Sequence, residues 1–282
     1  MRRSILLATV VLGLFAGGGP ERPARPELVG QLTDPAIREA SGIVRSRRHP
    51  GIFWVHNDSG NPSDLFAVRR DGSLVRSFRV AVPNVDWEDI ATDDAGHLYL
   101  GEIGNNNLRL PIRAVYRLDE PDPSRPPEGP LPVTLAAFYR FPEDARFDAE
   151  GLFVAQGGAY VVSKRSDGRP AEVFRIKLDP PAPLLRPALP ERVGELPGCV
   201  EPATGADLSP DGRRLAVVTI SAARVYEPAA AGGWALVATV RFEARDVEAI
   251  CWDGADLILA SEDRSVYRIG EATWTAARGA PR

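Results

Sequence analysis

A β-propeller of five four-stranded blades is the fold this all-β sequence predicts, on three observations that recur in one order. The first is a short stretch, read as Asp86-Trp87-Glu88-Asp89-Ile90 and echoed by Glu39-Ala40-Ser41-Gly42-Ile43, Asp148-Ala149-Glu150-Gly151-Leu152, Thr204-Gly205-Ala206-Asp207-Leu208 and Asp246-Val247-Glu248-Ala249-Ile250. The second, seven to nine residues on, is an apolar run: Ile52-Phe53-Trp54-Val55, Leu98-Tyr99-Leu100, Tyr160-Val161-Val162, Leu215-Ala216-Val217-Val218 and Leu257-Ile258-Leu259. The third is a run with an aromatic at one fixed place: Phe66, Tyr116, Phe174, Tyr226 and Tyr267. A repeat built only of strand units points to a radial array of blades.

Taken in order, the three signals mark the first, second and third strands of each blade, and the recurring aromatics are expected to fill the blade walls. Aligned at Ser41, Glu88, Glu150, Ala206 and Glu248, the repeats are spaced by 47, 62, 56 and 42 residues. Known blade repeats run to about 40–50 residues, so no interval holds two blades and no stretch remains for a sixth. The two long intervals carry proline-rich excess, Pro121 to Pro132 and Pro180 to Pro190, which reads as surface loop. The last repeat ends in a weak tail. Leu28-Val29-Gly30-Gln31-Leu32 resembles the outer-strand segment Arg192-Val193-Gly194-Glu195-Leu196, so the N-terminal strand is expected to form the outer edge of the last blade and clasp the ring. Without such closure, strand edges and a blade face stay in water. The alternative is completion by Thr273-Trp274-Thr275.

Composition agrees with many short strands. The 282 residues are 44% hydrophobic, with 26 Gly and 26 Pro to serve the turns. Net charge is -4 and the basic residues form no stripe, which argues against nucleic acid as a partner. Residues 1–19 place Arg2 and Arg3 before an apolar run from Ile5 to Ala16 and three glycines, the layout of a secretory signal peptide and too short to span a bilayer. Residues 20–26 read as a stiff Pro-rich spacer, and 27–282 as one propeller domain. The expected location is therefore secreted or periplasmic, with no other membrane association, and the expected state is a monomer. An oxidising compartment permits a bridge between Cys199 and Cys251 that would staple the last two blades; two buried small residues is the competing reading.

Leu208-Ser209-Pro210-Asp211-Gly212-Arg213-Arg214-Leu215-Ala216 resembles the turn of TolB-like and WD40-like propellers, and Asp93-Asp94-Ala95-Gly96-His97-Leu98-Tyr99 resembles that of NHL-type and SMP-30-like ones. The first repeat, from Glu39 through Trp54-Val55-His56-Asn57-Asp58-Ser59-Gly60 to Ala91, is similar to exported bacterial propellers near the phytase-like class. SMP-30-like and phytase-like propellers hold calcium with acids and amides near the axis, so the resemblance implies Ca²⁺ here. A five-blade count departs from their usual six, and propellers host many unrelated activities.

Two sets of residues meet at one mouth of a propeller, those that open the inner strands and those in the turns between second and third strands. Side chains alternate along a strand, so Asp86 shares a direction with Glu88, Asp148 with Glu150 and Asp246 with Glu248. Like charges about 6 Å apart repel by roughly 3 kcal/mol at an effective dielectric near 20, so a cation, raised pKa values or basic partners must relieve such a ring. Oxygen donors without a His or Cys cluster favour Ca²⁺ or Mg²⁺ over zinc. The candidate metal ligands are Asp86, Glu88, Glu150 and Glu248, with Asn57, Asp58 and Asn105 completing the set. Asn57, Glu102, Asn105, Lys164, Arg165 and Glu262 are candidate ligand-binding residues. His56 beside Asp58 is a candidate catalytic pair, with His56 a possible general base. A scaffold role competes with these readings: acids opening the inner strands would accept amide hydrogen bonds from the next blade. The chain has no nucleophile elbow and no phosphate-cradling loop. The expected function is binding of a divalent cation and a small ligand, extending to metal-dependent hydrolysis of a phosphoester, ester or lactone. The alternative is a non-catalytic propeller that contacts a glycan or protein.

Overall fold

Short, buried inner strands, each paired outward with three further strands, build five antiparallel sheets. The computed structural model of the chain describes residues 24–106, 108–142, 148–230 and 232–278. The chain opens with β1 (Glu27–Gln31). The first blade is then β2 (Ala40–Arg45), β3 (Ile52–Asn57), β4 (Asp64–Arg69) and β5 (Leu74–Arg79), and the second is β6 (Trp87–Thr92), β7 (His97–Glu102), β8 (Arg113–Asp119) and β9 (Leu135–Tyr139). The third blade is β10 (Asp148–Ala155), β11 (Gly158–Lys164), β12 (Glu172–Lys177) and β13 (Glu191–Glu195), and the fourth is β14 (Ala203–Leu208), β15 (Leu215–Thr219), β16 (Ala222–Pro228) and β17 (Trp234–Arg241). The fifth has β18 (Val247–Asp253), β19 (Asp256–Ser261) and β20 (Ser265–Ile269), followed by the short helix α1 (Glu271–Ala276).

The ring closes as β2, β6, β10, β14 and β18 pack side by side around the axis, β18 against β2. The core is divided between the blade interfaces. Each of five buried clusters joins residues of two adjacent blades: Trp54 and Trp87 sit between the first and second, and Trp252 and Trp274 beside the fourth and fifth. Phe66, Tyr116, Phe174 and Tyr226 are buried in these walls, and Tyr267 packs against one from a half-buried position. The proline-rich excess lies in the β8–β9 and β12–β13 connections.

β1 forms the fourth strand of the last blade, in the order β1-β20-β19-β18. Its likeness to β13 extends to the irregularity: Val29 bulges opposite β20, as Val193 does opposite β12. The same segment reaches the first blade, where Gln31 N–H donates to Asp71 O (3.1 Å) and Thr33 N–H to Gly72 O (3.1 Å). This approach needs glycine on both sides, because a Cβ at Gly30 would overlap the Asp71 carbonyl and one at Gly72, held at φ +81°, the Gln31 carbonyl. Thr273-Trp274-Thr275 does not complete the blade; it lies in α1, where Trp274 Nε1–H donates to Ala255 O (2.8 Å).

Two expectations are corrected. Cys199 and Cys251 are free, buried thiols in different interface clusters, so no bridge staples the last blades. The fourth repeat is displaced by two residues. In all five inner strands one residue bulges out of the ladder with the second strand, and the bulged residues are Ser41, Glu88, Glu150, Thr204 and Glu248. Thr204, not Ala206, therefore corresponds to Glu88.

The glycine contact at the clasp sets a measurable expectation. Gly72→Ala meets both a left-handed φ and a backbone overlap, a strain of about 1–3 kcal/mol that lowers Tm by roughly 3–10 °C in calorimetry. An unchanged Tm would show that the ring does not depend on this closure.

Candidate functional site

The shared bulge turns one residue of each inner strand out of the ladder, and at Gly42, Asp89, Gly151 and Gly205 its successor lies against the inner strand of the next blade. The five successors are Gly42, Asp89, Gly151, Gly205 and Ala249, four small residues and one acid. The buried Asp89 carboxylate accepts Leu152 N–H (2.7 Å) from the third blade and Ala206 N–H (3.0 Å) from the fourth, and Ile90 N–H (2.9 Å). Burial pushes its pKa well up, opposed by these donors. On the fourth blade, Asp207 Oδ2 accepts Trp252 N–H (2.8 Å) from the fifth. Two axial acids thus hold blades together.

Of the bulged residues, Ser41, Glu88, Glu150 and Glu248 line the mouth. Ser41 Oγ donates to Glu88 O (2.7 Å) and Thr204 Oγ1 to Val247 O (3.0 Å), each reaching the next blade. Here hydroxyls, not acids, make the inter-blade links. Glu88 and Glu150 are each only 3% exposed, and Glu88 Oε1 and Glu150 Oε2 are buried without a hydrogen-bond partner. Both line a cavity of about 130 Å³ with Glu39, Ala40, Ser41, Asp58, Asn106, Lys164, Glu248 and Glu262. Carboxylate oxygens of Asp58, Asp86 and Glu88 all lie within 4.8 Å of one another, as do those of Glu88, Asp148 and Glu150. These groups can hold a metal ion. The first is permitted by Gly104: a Cβ there would overlap both Glu88 Oε1 and the Asp86 carboxylate.

Crowding and burial raise the pKa values. Burial, then the neighbouring acids Asp58 and Asp148, moves Asp86 up to about 6. Burial followed by Glu150 raises Glu88 well above the ordinary range. Burial lifts Glu150 to about 8 although its partner Lys164 pulls the other way, and Glu248 to about 7 against the same lysine. Burial lowers the Lys164 ammonium, and the Glu150 contact outweighs it, leaving the pKa raised. At an effective dielectric near 20, two ionised oxygens 4.8 Å apart repel by roughly 3.5 kcal/mol, so the metal-free site holds protons.

The other sequence candidates fall in different places. Glu102 is absorbed by main-chain amides, accepting Val85 N–H (3.1 Å) and Asp86 N–H (2.6 Å), which fixes the approach to β6; burial raises it to about 7. Asn57 accepts Arg38 N–H (2.9 Å) and donates to Ala36 O (2.8 Å), tying down the segment before β2. Asn105 Oδ1 accepts Leu110 N–H (2.7 Å) within its own turn, while its N–H meets Asp148 Oδ1 (2.6 Å). Arg165 pairs with Asp167 and Glu172 (2.7 Å) outside the cavity. His56 is fully buried against Trp87 and does not line the cavity; its Nδ1 lies 2.9 Å from Asn57 O. Burial lowers its pKa to about 4, so the ring is neutral near pH 7. Of that pair, only Asp58 faces the cavity, with its pKa raised by burial. Asn106, in the turn that the sequence places at the mouth with Glu102 and Asn105, lines the cavity, whereas the part played by Gly104 is not signalled by any local pattern.

No known family profile matches the chain, and no curated protein matches it. Among solved structures, a catalytically inactive virginiamycin B lyase from Staphylococcus aureus with quinupristin aligns at 14% identity over 84% of this chain and 67% of its own, with a TM-score of 0.43. A luciferin-regenerating enzyme aligns at 15% identity over 82% and 77%, with a TM-score of 0.45. A chain of the mitotic checkpoint complex aligns at 13% identity over 96% and 73%, with a TM-score of 0.42. At these levels the likenesses carry nothing about site residues.

The raised carboxylates set a pH dependence. Asp86, Glu102, Glu248 and Glu150 bind protons in the folded protein at pH values where the unfolded chain, with carboxyl pKa values near 4, has lost them. Their stabilising contribution is complete below pH ~4 and is lost as pH rises through about 6 to 8. In EDTA, calorimetry is expected to give a lower Tm at pH 8.5 than at pH 5.5. An equal or higher Tm at pH 8.5 contradicts this reading of the cluster.

Proposed function

We propose that this chain is an exported, monomeric propeller whose acidic mouth binds one divalent cation together with a small ligand. The observation that carries the proposal is Glu88 Oε1, a buried carboxylate oxygen without a protein partner, in a group whose three ligand atoms lie within 4.8 Å of one another. An unpaired buried acid is costly, and a cation relieves it. Asp58, Asp86 and Glu88 would hold the ion, and a donor set of carboxylate oxygens suits Ca²⁺. The resemblance of the first repeat to calcium-holding propellers supports the same choice, and the amino-terminal layout of residues 1–19, outside the described residues, supports export to the periplasm or beyond.

A bound cation would supply Lewis-acid polarisation of an ester, phosphoester or lactone oxygen, and hydrolysis of such a bond is the reaction class proposed. Buried His56 does not face the cavity and is not placed for proton transfer there, and Asp58, which does face it, serves in this reading as a ligand of the ion. One observation favours the non-catalytic reading instead. The exposed apolar residues Val85, Leu108, Val200 and Ile220 all lie on connections at the mouth side, where a glycan or protein would make contact.

Calcium titration of EDTA-stripped protein by calorimetry tests the cation. One site is expected in the wild type. In Gly104→Ala the new methyl displaces only the flexible ends of Glu88 and Asp86, so affinity falls by about tenfold or more, about 1.4 kcal/mol, with little change in Tm. Absence of calcium binding by the wild type removes the proposal; equal affinity in Gly104→Ala removes the assignment to Asp86 and Glu88.

A further inference from the structure

The residue facing the one two places before each bulge changes character around the ring. In the first blade it is Asp58, whose N–H donates to Glu39 O (2.8 Å), and in the fifth it is Glu262, whose N–H donates to Asp246 O (2.9 Å). In the second blade the register puts Ile103 opposite Asp86 and the amide contact comes one residue later, from Gly104 N–H to Asp86 O (3.2 Å), and in the third Lys164 stands in register opposite Asp148. Acid, glycine, lysine and acid thus meet the residue two places before the bulge in four blades.

One blade step therefore carries Asp58, Asp86 and Glu88 onto Gly104, Asp148 and Glu150. The first group has three carboxylates. The second has two of its own and borrows Glu88 to make three, since oxygens of Glu88, Asp148 and Glu150 also lie within 4.8 Å of one another. Two cation positions would share Glu88. They are not equally available, because Lys164 lines the same cavity and its Nζ contacts Glu150 Oε1. Lys164 is the one basic side chain among the described residues lining the cavity, against Glu39, Asp58, Glu88, Glu150, Glu248 and Glu262. Strand register holds it there, at the end of β11. Glu150 Oε2 remains buried and unpartnered, as does Glu88 Oε1, so each group keeps a free oxygen.

We propose that Lys164 is a resident cation that occupies the second position, at Glu88, Asp148 and Glu150, and so limits the mouth to a single divalent ion. This rests on the cation reading of the first group and adds a residue that sets stoichiometry. A fixed ammonium supplies one positive charge where a divalent ion would supply two, and it cannot leave. Removing it leaves buried carboxylates without a counter-charge and opens the position to a second ion of the same oxygen-seeking class.

Calcium chloride titrated into EDTA-stripped wild type, Lys164→Met and Lys164→Arg, all read by calorimetry, tests this directly. The expected result is one ion per chain in the wild type, two in Lys164→Met and one in Lys164→Arg, whose retained charge keeps the position filled. Lys164→Gln serves the same purpose if the methionine variant does not fold. One ion in every folded variant overturns the role of Lys164 and leaves the first position standing. No calcium bound by the wild type overturns both.

Discussion

Asp89 is the interaction on which the ring and its mouth depend. Five inner strands meet at an axis, and four of the five residues that follow their bulges are Gly42, Gly151, Gly205 and Ala249. Asp89 is the one longer side chain at this position. Its carboxylate collects amides from the third and fourth blades. Left unpaired, each of those buried amides would cost about 1–3 kcal/mol, so one acid fixes the relative rotation of three blades. The five interface clusters, with their large aromatics, then supply the non-directional part of the packing.

With the rotation fixed, the bulges do the rest. A bulge sets its residue apart from the ladder, and here it gives Ser41 and Thr204 contacts with next-blade carbonyls while sending Glu88, Glu150 and Glu248 to the mouth. The acids differ in what their oxygens meet. Asp89, Asp207 and Glu102 are engaged by main-chain amides. Glu88 and Glu150 each retain an oxygen that no protein group meets. The scaffold reading therefore holds for the first three, while Asp148 both accepts main-chain amides and belongs to a carboxylate cluster.

Much of this was legible in the residues. The order of signals, the recurring aromatics and the Val-Gly likeness of β1 and β13 sufficed for five blades and for the clasp, because each reports a local steric need. The fourth register was misread. Aligning Asp207 with Asp89 was chemically natural, whereas Gly205 matches Gly42 and Gly151, and the small axial residue was the better guide. The candidates on the mouth-side turns were harder. Asn57, Asn105 and Glu102 have suitable chemistry, but turns that must satisfy their own amides use those side chains locally, and spacing does not reveal that. His56 looked accessible beside Asp58, yet strand alternation turns it inward onto Trp87. The permissive role of Gly104 depends on a contact with Glu88 across the blade, which no local pattern carries.

The central claim is that residues far apart in number gather their carboxylate oxygens around one cation position. A crystal structure of the full chain grown with millimolar calcium tests it most directly. The account predicts one calcium bound by Asp58, Asp86 and Glu88 with oxygen distances of about 2.3–2.6 Å. A mouth filled only by water, or calcium bound elsewhere with these three carboxylates apart, would contradict it.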